Sequence, residues 1–360
     1  MDKKDIVRLG YYFQGVSRTN LFLDYKKGIV PDSSLFGLNH LCLENNLEAS
    51  LLESEKNQPQ KNLFSEKYHQ VINNISIFFK LQKYDAVVSS VGIPFILAQT
   101  LLFRKSPKWF FLNLNLTTVF RKHAKHPFKK FLLKYALNHM TKTLCISHDQ
   151  KRVLEHEGVL STKIDVIYFG VDKTFFIPQK NKTHTGGYIL SVGRDSGRDF
   201  ATLINAAKHI AKKIIIVTSP ENIVNIKNIP SNVELRYNVS YEEVRSLYQG
   251  ADVVLVVTHG DEYENGSDCS GQTTVLDAMA CGKVVIATKK LWMDDYFVAG
   301  EHFLAVPPYD EKAISTNVEN ILSQQDKGEK MGMRARALIE EKFNTEVMSS
   351  SILSIIKNSY

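Results

Sequence analysis

The sequence predicts an α/β protein made of two Rossmann-like, doubly wound domains that face each other across a cleft. In the C-terminal half, short continuous apolar runs rich in β-branched residues alternate with segments of helical periodicity, as in parallel sheets covered on both faces. The N-terminal half repeats this alternation. The length of 360 residues is too great for one comfortable core and suits two domains of roughly 150 to 180 residues.

The apolar runs locate the individual elements. In the C-terminal half they predict strands at Ile189–Val192, Ile214–Thr218, Val233–Tyr237, Asp252–Thr258, Val284–Thr288 and Phe303–Val306, with helices at Phe200–Lys212 and Thr274–Cys281. In the N-terminal half they predict strands at Ile6–Phe13, Ala86–Ser89, Trp109–Leu114, Thr143–Ile146 and Ile164–Tyr168, with helices at Ser34–Glu44, Tyr68–Gln82 and Phe128–Met140. Ligands of such folds bind beyond the carboxyl ends of the strands, so we expect the site there.

The segment from Pro178 to Gly187 is polar, ends in two glycines and has no periodicity, which is typical of a linker. We therefore expect an N-terminal domain over residues 1–180 and a C-terminal domain over residues 187–340. Residues 341–360 are expected to form a C-terminal helix that packs back on the N-terminal domain.

Composition indicates an ordinary globular protein, with 44% hydrophobic and 23% charged residues. The four cysteines are far apart and show no Cys-x-x-Cys spacing, so neither a zinc site nor a disulfide framework is predicted. The longest apolar run, Ile93 to Phe103, has about half of the roughly 20 residues that a membrane span needs. With no segment resembling a signal peptide, we expect a cytoplasmic protein.

Basic residues are concentrated in the N-terminal half. Residues 1–180 hold 26 Lys/Arg and 15 Asp/Glu, whereas residues 181–360 hold 19 and 23. Between Asp85 and Asp149 there are ten basic residues and no acidic one. Such a surface favours an anionic partner.

The centre of this acid-free stretch is a predicted amphipathic helix that begins at Pro127. Its apolar side holds Phe128, Phe131, Leu132 and Tyr135, and its basic side holds Lys129, Lys130 and Lys134. We expect this helix to dock on the anionic inner face of the plasma membrane. A basic groove for an acidic glycan and an apolar side packed into the core are the alternatives, and no nucleic-acid partner is expected.

The first chemical motif is Ser191-Val-Gly-Arg-Asp-Ser-Gly-Arg-Asp-Phe200, which follows a strand and opens a helix. Its glycines, Gly193 among them, permit a tight turn at a helix N-terminus, which already favours anions. We expect Arg194 and Arg198 to form an exposed clamp for a diphosphate. A strand-turn-helix joint with solvated arginines is the alternative.

The second motif runs from Asp268 to Gly282 as Asp-Cys-Ser-Gly-Gln-Thr-Thr-Val-Leu-Asp-Ala-Met-Ala-Cys-Gly. Ser270 is a natural helix cap, and Gly271 permits close approach of a ligand to the backbone. The first turn, with Gln272 and Thr273, is expected to hold a phosphate or a sugar hydroxyl. Asp277 lies about two turns into the helix, where it can accept hydrogen bonds from a ribose. A well-capped core helix with one polar residue is the alternative.

These motifs, in this order, resemble those of the retaining GT-B glycosyltransferases of glycosyltransferase family 4. The resemblance covers most of residues 143–345 and also rests on Ile164-Asp-Val-Ile-Tyr-Phe-Gly-Val-Asp172 and Tyr241-Glu-Glu-Val-Arg-Ser-Leu-Tyr-Gln-Gly-Ala-Asp-Val-Val254. It implies that Arg194 and Arg198 contact the donor diphosphate and that Asp277 contacts the ribose. It also implies that the loop around Tyr237 and Val239 lies beside the base.

The sequence departs from the family at the donor sugar. Family members usually carry two glutamates separated by seven residues, and here the second is Asp277 while the first position is Cys269. In the N-terminal half, the first loop keeps Gly15 as a candidate donor contact. The resemblance also implies a histidine near the donor sugar, a role for which His123 and His126 are candidates. A solvated basic loop is the alternative for both.

The resemblance implies transfer of a sugar from a nucleotide-sugar donor to a glycan or lipid-linked acceptor with retention of anomeric configuration. It also implies that the N-terminal domain binds the acceptor and that the C-terminal domain binds the nucleotide sugar. We expect this in cell-surface polysaccharide or glycolipid synthesis, with no metal and no cofactor beyond the nucleotide sugar as co-substrate. A sugar-nucleotide epimerase or phosphorylase on the same fold is one alternative. The other is a non-catalytic GT-B protein that binds an anionic polymer or membrane, which Cys269 favours.

Overall fold

A computed structural model of the protein describes residues 7–13, 21–52, 76–101, 107–179 and 187–360. The chain divides into two compact units. The first contains Met1–Lys26, Ser34–Ile167 and Met348–Tyr360, and the second contains Lys27–Ser33 and Tyr168–Val347. Residues 180–186 of the predicted linker lie outside the described residues, as do Gly15 and residues 68–75 of a predicted helix.

The first unit is built on a parallel sheet of six described strands in the order β2-β1-β3-β4-β5-β6. The strands are β1 (Val7–Tyr12), β2 (Leu47–Leu52), β3 (Ala86–Ser89), β4 (Lys108–Asn113), β5 (Lys142–Cys145) and β6 (Ile164–Val166). The helices are α1 (Leu21–Lys26), α2 (Leu38–Leu41), α3 (residues 76–81), α4 (Ile93–Leu101), α5 (Leu116–Lys122), α6 (Pro127–His139) and α7 (His148–His156). Pro127 starts α6 in the first turn, and the Ser147 hydroxyl caps α7 by accepting the Gln150 N–H at 3.1 Å.

The helix predicted over Ser34–Glu44 is wrong for most of its length. A 3-10 turn covers Asp32–Leu35, and α2 is only four residues long. Phe36 and Gly37 separate them with φ angles of 51° and 82°, which no right-handed helix accommodates. The apolar spacing of the segment is helical, but a Cβ at Gly37 would lie 3.1 Å from the Cβ of Ser349. The break therefore depends on a contact that is distant in sequence.

Strand β2 was not predicted from the sequence. Its residues, Leu47-Glu-Ala-Ser-Leu-Leu52, include no β-branched or aromatic side chain and show little intrinsic preference for a strand. The strand forms because it adds to the open edge of β1, with which it pairs residue for residue from Val7 and Leu47 onward.

The second unit contains another six-stranded parallel sheet, in the order β12-β11-β10-β7-β8-β9. The strands are β7 (Tyr188–Val192), β8 (Ile214–Val217), β9 (Val233–Arg236), β10 (Ala251–Val256), β11 (Val284–Thr288) and β12 (Leu304–Val306). The helices are α8 (Phe200–Ala207), α9 (Tyr241–Gly250), α10 (Gln272–Ala280), α11 (Glu311–Ser323) and α12 (Gln325–Glu341). All six strands were predicted, with ends within two residues of those observed. The predicted α/β fold class is thus confirmed for both units.

Strand order fixes where a ligand can bind to the second unit. From β7 the chain adds β8 and β9 on one side, then returns to place β10 on the other side of β7. The strand order therefore changes direction between β7 and β10, and the loops that follow these two strands begin beside each other at the carboxyl edge of the sheet. Open α/β sheets bind ligands at such a switch point.

The last helix, α13 (Thr345–Lys357), begins in the second unit, and its residues from Met348 onward belong to the first. The short segment Lys27–Ser33 belongs to the second unit through Asp32. The Asp32 N–H donates to Asp172 Oδ2 at 2.8 Å, and the Thr345 hydroxyl donates to Asp32 Oδ2 at 2.8 Å. Among the described residues, no helix is both long and apolar enough to cross a membrane.

Candidate functional site

Two loops meet at the switch point of the second unit. The first, residues 193–199, joins β7 to α8, and the second, residues 257–271, joins β10 to α10. The His259 N–H donates to the Gly197 carbonyl at 2.9 Å, and the Ser196 hydroxyl donates to the Asn265 carbonyl. These backbone contacts align the two loops side by side.

Asp195 joins the loops through both oxygens of its carboxylate. Oδ1 accepts the Ser270 hydroxyl at 2.6 Å and the Gly197 N–H at 2.9 Å. Oδ2 accepts the Ser267 N–H at 3.1 Å. Hydrogen bonds to an ionised acceptor are shorter and stronger than neutral ones, so one side chain holds three donors from both loops. We call this arrangement the Asp195 clasp.

The clasp needs glycine where the loops touch. A Cβ at Gly266 would lie 2.7 Å from the Cα of Gly197, and a Cβ at Gly197 would lie 2.7 Å from the Ser270 hydroxyl oxygen. Real Cβ atoms do not approach other atoms so closely. Any larger residue at either position would push the loops apart.

Helix α10 begins beside the clasp without a side-chain cap. The prediction that Ser270 caps it is wrong: the residue at the N-cap position is Gly271, with a φ of 81°, and no side chain bonds to the first turn. The Ser270 hydroxyl is instead committed to Asp195. The Gln272 N–H donates to the Cys269 carbonyl at 3.0 Å. The N–H groups of Thr273 and Thr274 are therefore the ones left for an anion, which the helix dipole also favours.

Gln272 and Thr273 form the first turn of α10. Thr273 is exposed, whereas the Gln272 side chain is only 3% exposed. Within the described parts of the chain, the Gln272 Nε2 has no hydrogen-bond partner. A buried amide donor without a partner is costly, and an oxygen of a ligand at this turn would satisfy it.

The two predicted arginines have different environments. Arg194 is exposed on the first loop. Arg198 is only 5% exposed, so the prediction that it forms an exposed clamp is wrong. Its guanidinium donates to the Val257 carbonyl at 3.2 Å and the Ser191 hydroxyl at 3.1 Å, and also to the Val192 carbonyl. Burial lowers the pKa of Arg198 to about 10.

Gly193 explains how Arg198 reaches this position. A Cβ at Gly193 would lie 2.3 Å from Nη1 of Arg198, so only glycine lets the guanidinium fold beneath the loop. Strand ends at Val192 and Val257 supply carbonyl acceptors that the sheet does not use. Arg198 therefore bonds to the underside of the loop that carries Arg194.

Asp277 lies on α10 and is partly buried. Burial, with a smaller contribution from the charge of Asp172, raises the pKa of the Asp277 carboxyl well above its usual range. No hydrogen bond or ion pair to the described residues stabilises its charged form. Such a carboxylate is available to accept hydroxyl groups from a ligand.

The remaining predicted residues of the second unit lie on the same edge of the sheet. Cys269 is in the second loop, next to Ser270, and is 8% exposed. Tyr237 and Val239 follow β9, and Tyr237 is 39% exposed. Between them Asn238 adopts a φ of 54°, which turns the chain sharply.

His123 belongs to the first unit, where it ends α5 as the C-cap residue. Its Nδ1 lies 2.9 Å from the Val119 carbonyl oxygen, which fixes the ring. An imidazole that donates through Nδ1 keeps Nε2 as an acceptor. His126 is exposed at the start of α6.

The C-terminal unit has a recognisable sequence family. Residues 172–338 match the family model described as glycosyl transferases group 1. The second unit is similar to a group 1 glycosyl transferase domain. Nearly the whole of this domain, including the Asp195 clasp and α10, lies inside the matched range. No curated protein matches the sequence.

Solved structures resemble the whole chain. Sucrose-phosphate synthase from Thermosynechococcus elongatus is 16% identical over 98% of both chains, with a TM-score of 0.73. Anabaena HepE in complex with UDP-glucose is 12% identical over 98% of this chain and 100% of that chain, with a TM-score of 0.69. A glycosyltransferase from Rickettsia africae is 17% identical over 99% of this chain and 98% of that chain, with a TM-score of 0.66. These likenesses confirm the GT-B type of fold around the group 1 domain.

Sequence reasoning missed Asp195, although the residue lies within a motif that it quoted. The sequence offered only an aspartate that is followed two positions later by a glycine, and a later loop that contains Ser267 and Ser270. Local spacing could not show that Asp195 bonds to Ser267 and Ser270, which are 72 and 75 positions away.

We predict that replacing the two arginines by alanine changes the free energy of unfolding to very different extents. Arg198→Ala removes the buried hydrogen bonds that the guanidinium makes to the Val257 carbonyl, the Val192 carbonyl and the Ser191 hydroxyl. It should lower the free energy of unfolding by about 3 kcal/mol, because hydrogen bonds made by a buried charged group are stronger than neutral ones. Arg194→Ala is the matched control and should change it by less than about 0.5 kcal/mol. Chemical denaturation of both variants measures the difference. Equal stability of the two would contradict the role assigned to Arg198.

Proposed function

We propose that the protein is a glycosyltransferase that moves a sugar from a nucleotide sugar to a glycan or lipid-linked acceptor, with retention of anomeric configuration. The observation that carries this is the uncapped N-terminus of α10, bordered by the Asp195 clasp and by the unpartnered Gln272 amide. It occurs at the switch point of a group 1 glycosyl transferase domain. Cell-surface polysaccharide or glycolipid synthesis in the cytoplasm is the setting that we propose.

The diphosphate of the donor binds at the first turn of α10. Its oxygens accept the N–H groups of Thr273 and Thr274 and the Nε2–H of Gln272. Arg194, exposed on the facing loop, supplies a positive charge. Arg198 contributes indirectly, because its hydrogen bonds hold in place the loop that contains Arg194 and Gly193.

The nucleoside extends toward β9. Asp277 accepts the ribose hydroxyl groups, and the loop at Tyr237 and Val239 borders the base. Binding supplies the Asp277 carboxylate with the donors that the described protein does not provide. Anabaena HepE, which has the same fold type, has been solved with UDP-glucose.

Transfer breaks the bond between the sugar C1 and the phosphate oxygen. A bond from C1 to the acceptor oxygen forms on the face that the diphosphate leaves, and the acceptor proton passes to the departing diphosphate. Arg194 and the α10 N-terminus stabilise the negative charge that develops there. By the resemblance, Cys269 stands where the family carries a glutamate, so Cys269 is the side chain of the second unit proposed near the sugar.

A degenerate GT-B protein that binds ligands without transfer is the second candidate. The buried thiol of Cys269 in place of a carboxylate favours it. Incubation with UDP-, GDP- and ADP-sugars separates the two, because a transferase hydrolyses its donor slowly and releases the nucleoside diphosphate. A sugar-nucleotide epimerase would convert the sugar instead and release no diphosphate.

We predict that one nucleoside diphosphate raises the melting temperature of the protein in a screen of UDP, GDP and ADP. At 100 times its dissociation constant, the ligand should add about 2.7 kcal/mol to the free energy of unfolding. Gln272→Glu keeps the size of the side chain but places a negative charge at the uncapped turn, and it serves as the binding-deficient comparison. If none of the three compounds stabilises the wild type, the proposed donor class is wrong.

We predict that Asp277→Asn makes the protein more stable but a weaker binder. A carboxyl whose folded pKa is raised contributes its full stability below the unfolded value of about 3.9 and loses it as pH rises through the folded pKa. The variant should therefore gain stability over the wild type as pH increases. Loss of the ribose contact should weaken nucleotide binding about tenfold.

Denaturation from pH 4 to pH 8 and calorimetric titration test these two effects. Asp326→Asn, at an exposed aspartate in the first turn of α12, is the control. A stabilised variant with unchanged nucleotide affinity would remove Asp277 from the binding site.

The first unit carries the surface proposed to dock on an anionic membrane. On α6, Phe128 is 71% exposed and Phe131 is 57% exposed, while Leu133, Ala136 and Leu137 face the core. The alternative in which these two phenylalanines pack into the core is therefore wrong. Lys129 is exposed beside them, whereas Lys130 pairs with Glu157 at 2.5 Å. Apolar and basic side chains at one surface suit the interface of an acidic bilayer.

We predict that the protein sediments with phosphatidylglycerol vesicles but not with phosphatidylcholine vesicles, and less so as salt increases. Replacing both Phe128 and Phe131 by Ser should reduce binding, because their side chains enter the interface. Phe79→Ser is the matched control, since Phe79 is 55% exposed on α3. Undiminished binding of the double variant, or no binding to either vesicle at low salt, would sink this assignment.

A further inference from the structure

Three aromatic rings lie at the carboxyl edge of the sheet in the second unit, beyond the Asp195 clasp. The rings of His259 and Tyr263 stack with centroids 3.9 Å apart and an angle of 23°. The ring of Tyr309 lies 5.7 Å from that of His259. We call these three rings the aromatic platform. Neither the diphosphate nor the nucleoside assigned above uses it.

A buried lysine anchors one side of the platform. Lys290, which is 5% exposed, donates to the His259 carbonyl at 3.1 Å and pairs with Asp261 Oδ1 at 2.9 Å. Asp261 Oδ2 accepts the Leu291 N–H at 3.3 Å. The loop after β10 is thereby tied to the loop after β11, so the platform does not depend on its rings alone.

The Tyr309 hydroxyl anchors the other side. It accepts the Gly260 N–H at 3.3 Å and lies 3.4 Å from Glu262 Oε1, to which it can donate. A Cβ at Gly260 would lie 2.2 Å from the Glu262 carboxylate, so glycine leaves room for this position of the carboxylate. The contacts place a carboxylate at the rim of the Tyr309 ring.

Tyr309 is held in an unfavourable backbone conformation. Its φ is 63°, in the left-handed region that side chains with a Cβ avoid. Its side chain is nevertheless 52% exposed, so burial of the ring does not offset this cost. Strained residues that survive at the edge of a ligand site commonly serve binding.

The platform adjoins the diphosphate loops directly. The His259 N–H bonds to the Gly197 carbonyl at 2.9 Å, inside the first loop of the clasp. Along the carboxyl edge the strands follow in the order β9, β8, β7, β10, β11 and β12, with neighbours about 4.8 Å apart. We place the base of a nucleotide sugar after β9 and its diphosphate between β7 and β10. The sugar, which follows the diphosphate, then lies over the ends of β10 to β12. That is where the platform lies.

We propose that the aromatic platform binds the sugar ring of the donor, an inference that rests on the proposed function. A hexose presents C–H bonds on its faces and hydroxyl groups around its rim. The faces pack on aromatic rings, and the hydroxyl groups donate to carboxylates. Tyr309 supplies the exposed ring, and Glu262 supplies a carboxylate in a site where Cys269 provides none.

Calorimetric titration of the wild type and variants with UDP, UDP-glucose, GDP and GDP-mannose tests the proposal. Tyr309→Ala should raise the dissociation constant of the bound nucleotide sugar about tenfold while leaving that of the matching diphosphate unchanged. Tyr309→Phe keeps the ring and should retain most of the affinity. Tyr360→Ala, at a tyrosine that is 59% exposed in the first unit, is the matched control. Glu262→Gln should weaken sugar binding selectively even if Tyr309→Ala does not fold.

The outcomes separate the platform from the function on which it rests. Equal weakening of diphosphate and nucleotide sugar, or no change in either, would overturn the platform and leave the donor site in place. A wild type that binds none of the four compounds would overturn the proposed donor itself.

Discussion

The carboxylate of Asp195 is the interaction on which the arrangement of the binding edge depends. It accepts donors from Gly197, Ser267 and Ser270 and so joins the two loops that follow β7 and β10. The same bond that closes the loops takes the Ser270 hydroxyl away from α10. Loop closure and an uncapped helix terminus are therefore two effects of one side chain, and the helix terminus stays open for the proposed anion because the Ser270 hydroxyl bonds to Asp195.

The central strands of the second unit were predictable because they are continuous apolar runs that are buried on both faces of the sheet, as β8 and β11 are. Elements whose conformation depends on contacts with distant parts of the chain were not predictable. Strand β2 lacks the residues that favour strands and depends on the edge of β1, while the broken helix near Gly37 depends on Ser349. In both cases the deciding contact is made by a segment far away along the chain.

The candidate site shows the same limit at the level of side chains. Arg194 and Arg198 lie four positions apart in one loop, and charge and motif treat them alike. Only the three-dimensional position of unused strand-end carbonyls makes Arg198 a buried structural residue and leaves Arg194 exposed. The residue types thus predicted that the loop would be positively charged. They did not predict which of the two arginines is exposed to a ligand.

The route of the chain between the two units has a consequence for biosynthesis. The second unit takes Lys27–Ser33 from within the first, and the first takes Met348–Tyr360 from beyond the second. During translation, the N-terminal sheet therefore emerges from the ribosome well before the last helical turns that complete its unit. Asp32 is likewise synthesised long before Asp172 and Thr345, with which it forms hydrogen bonds in the folded protein. Neither unit can therefore fold from one continuous stretch of the chain as it is synthesised. Until the C-terminal residues have been made, the first unit remains incomplete.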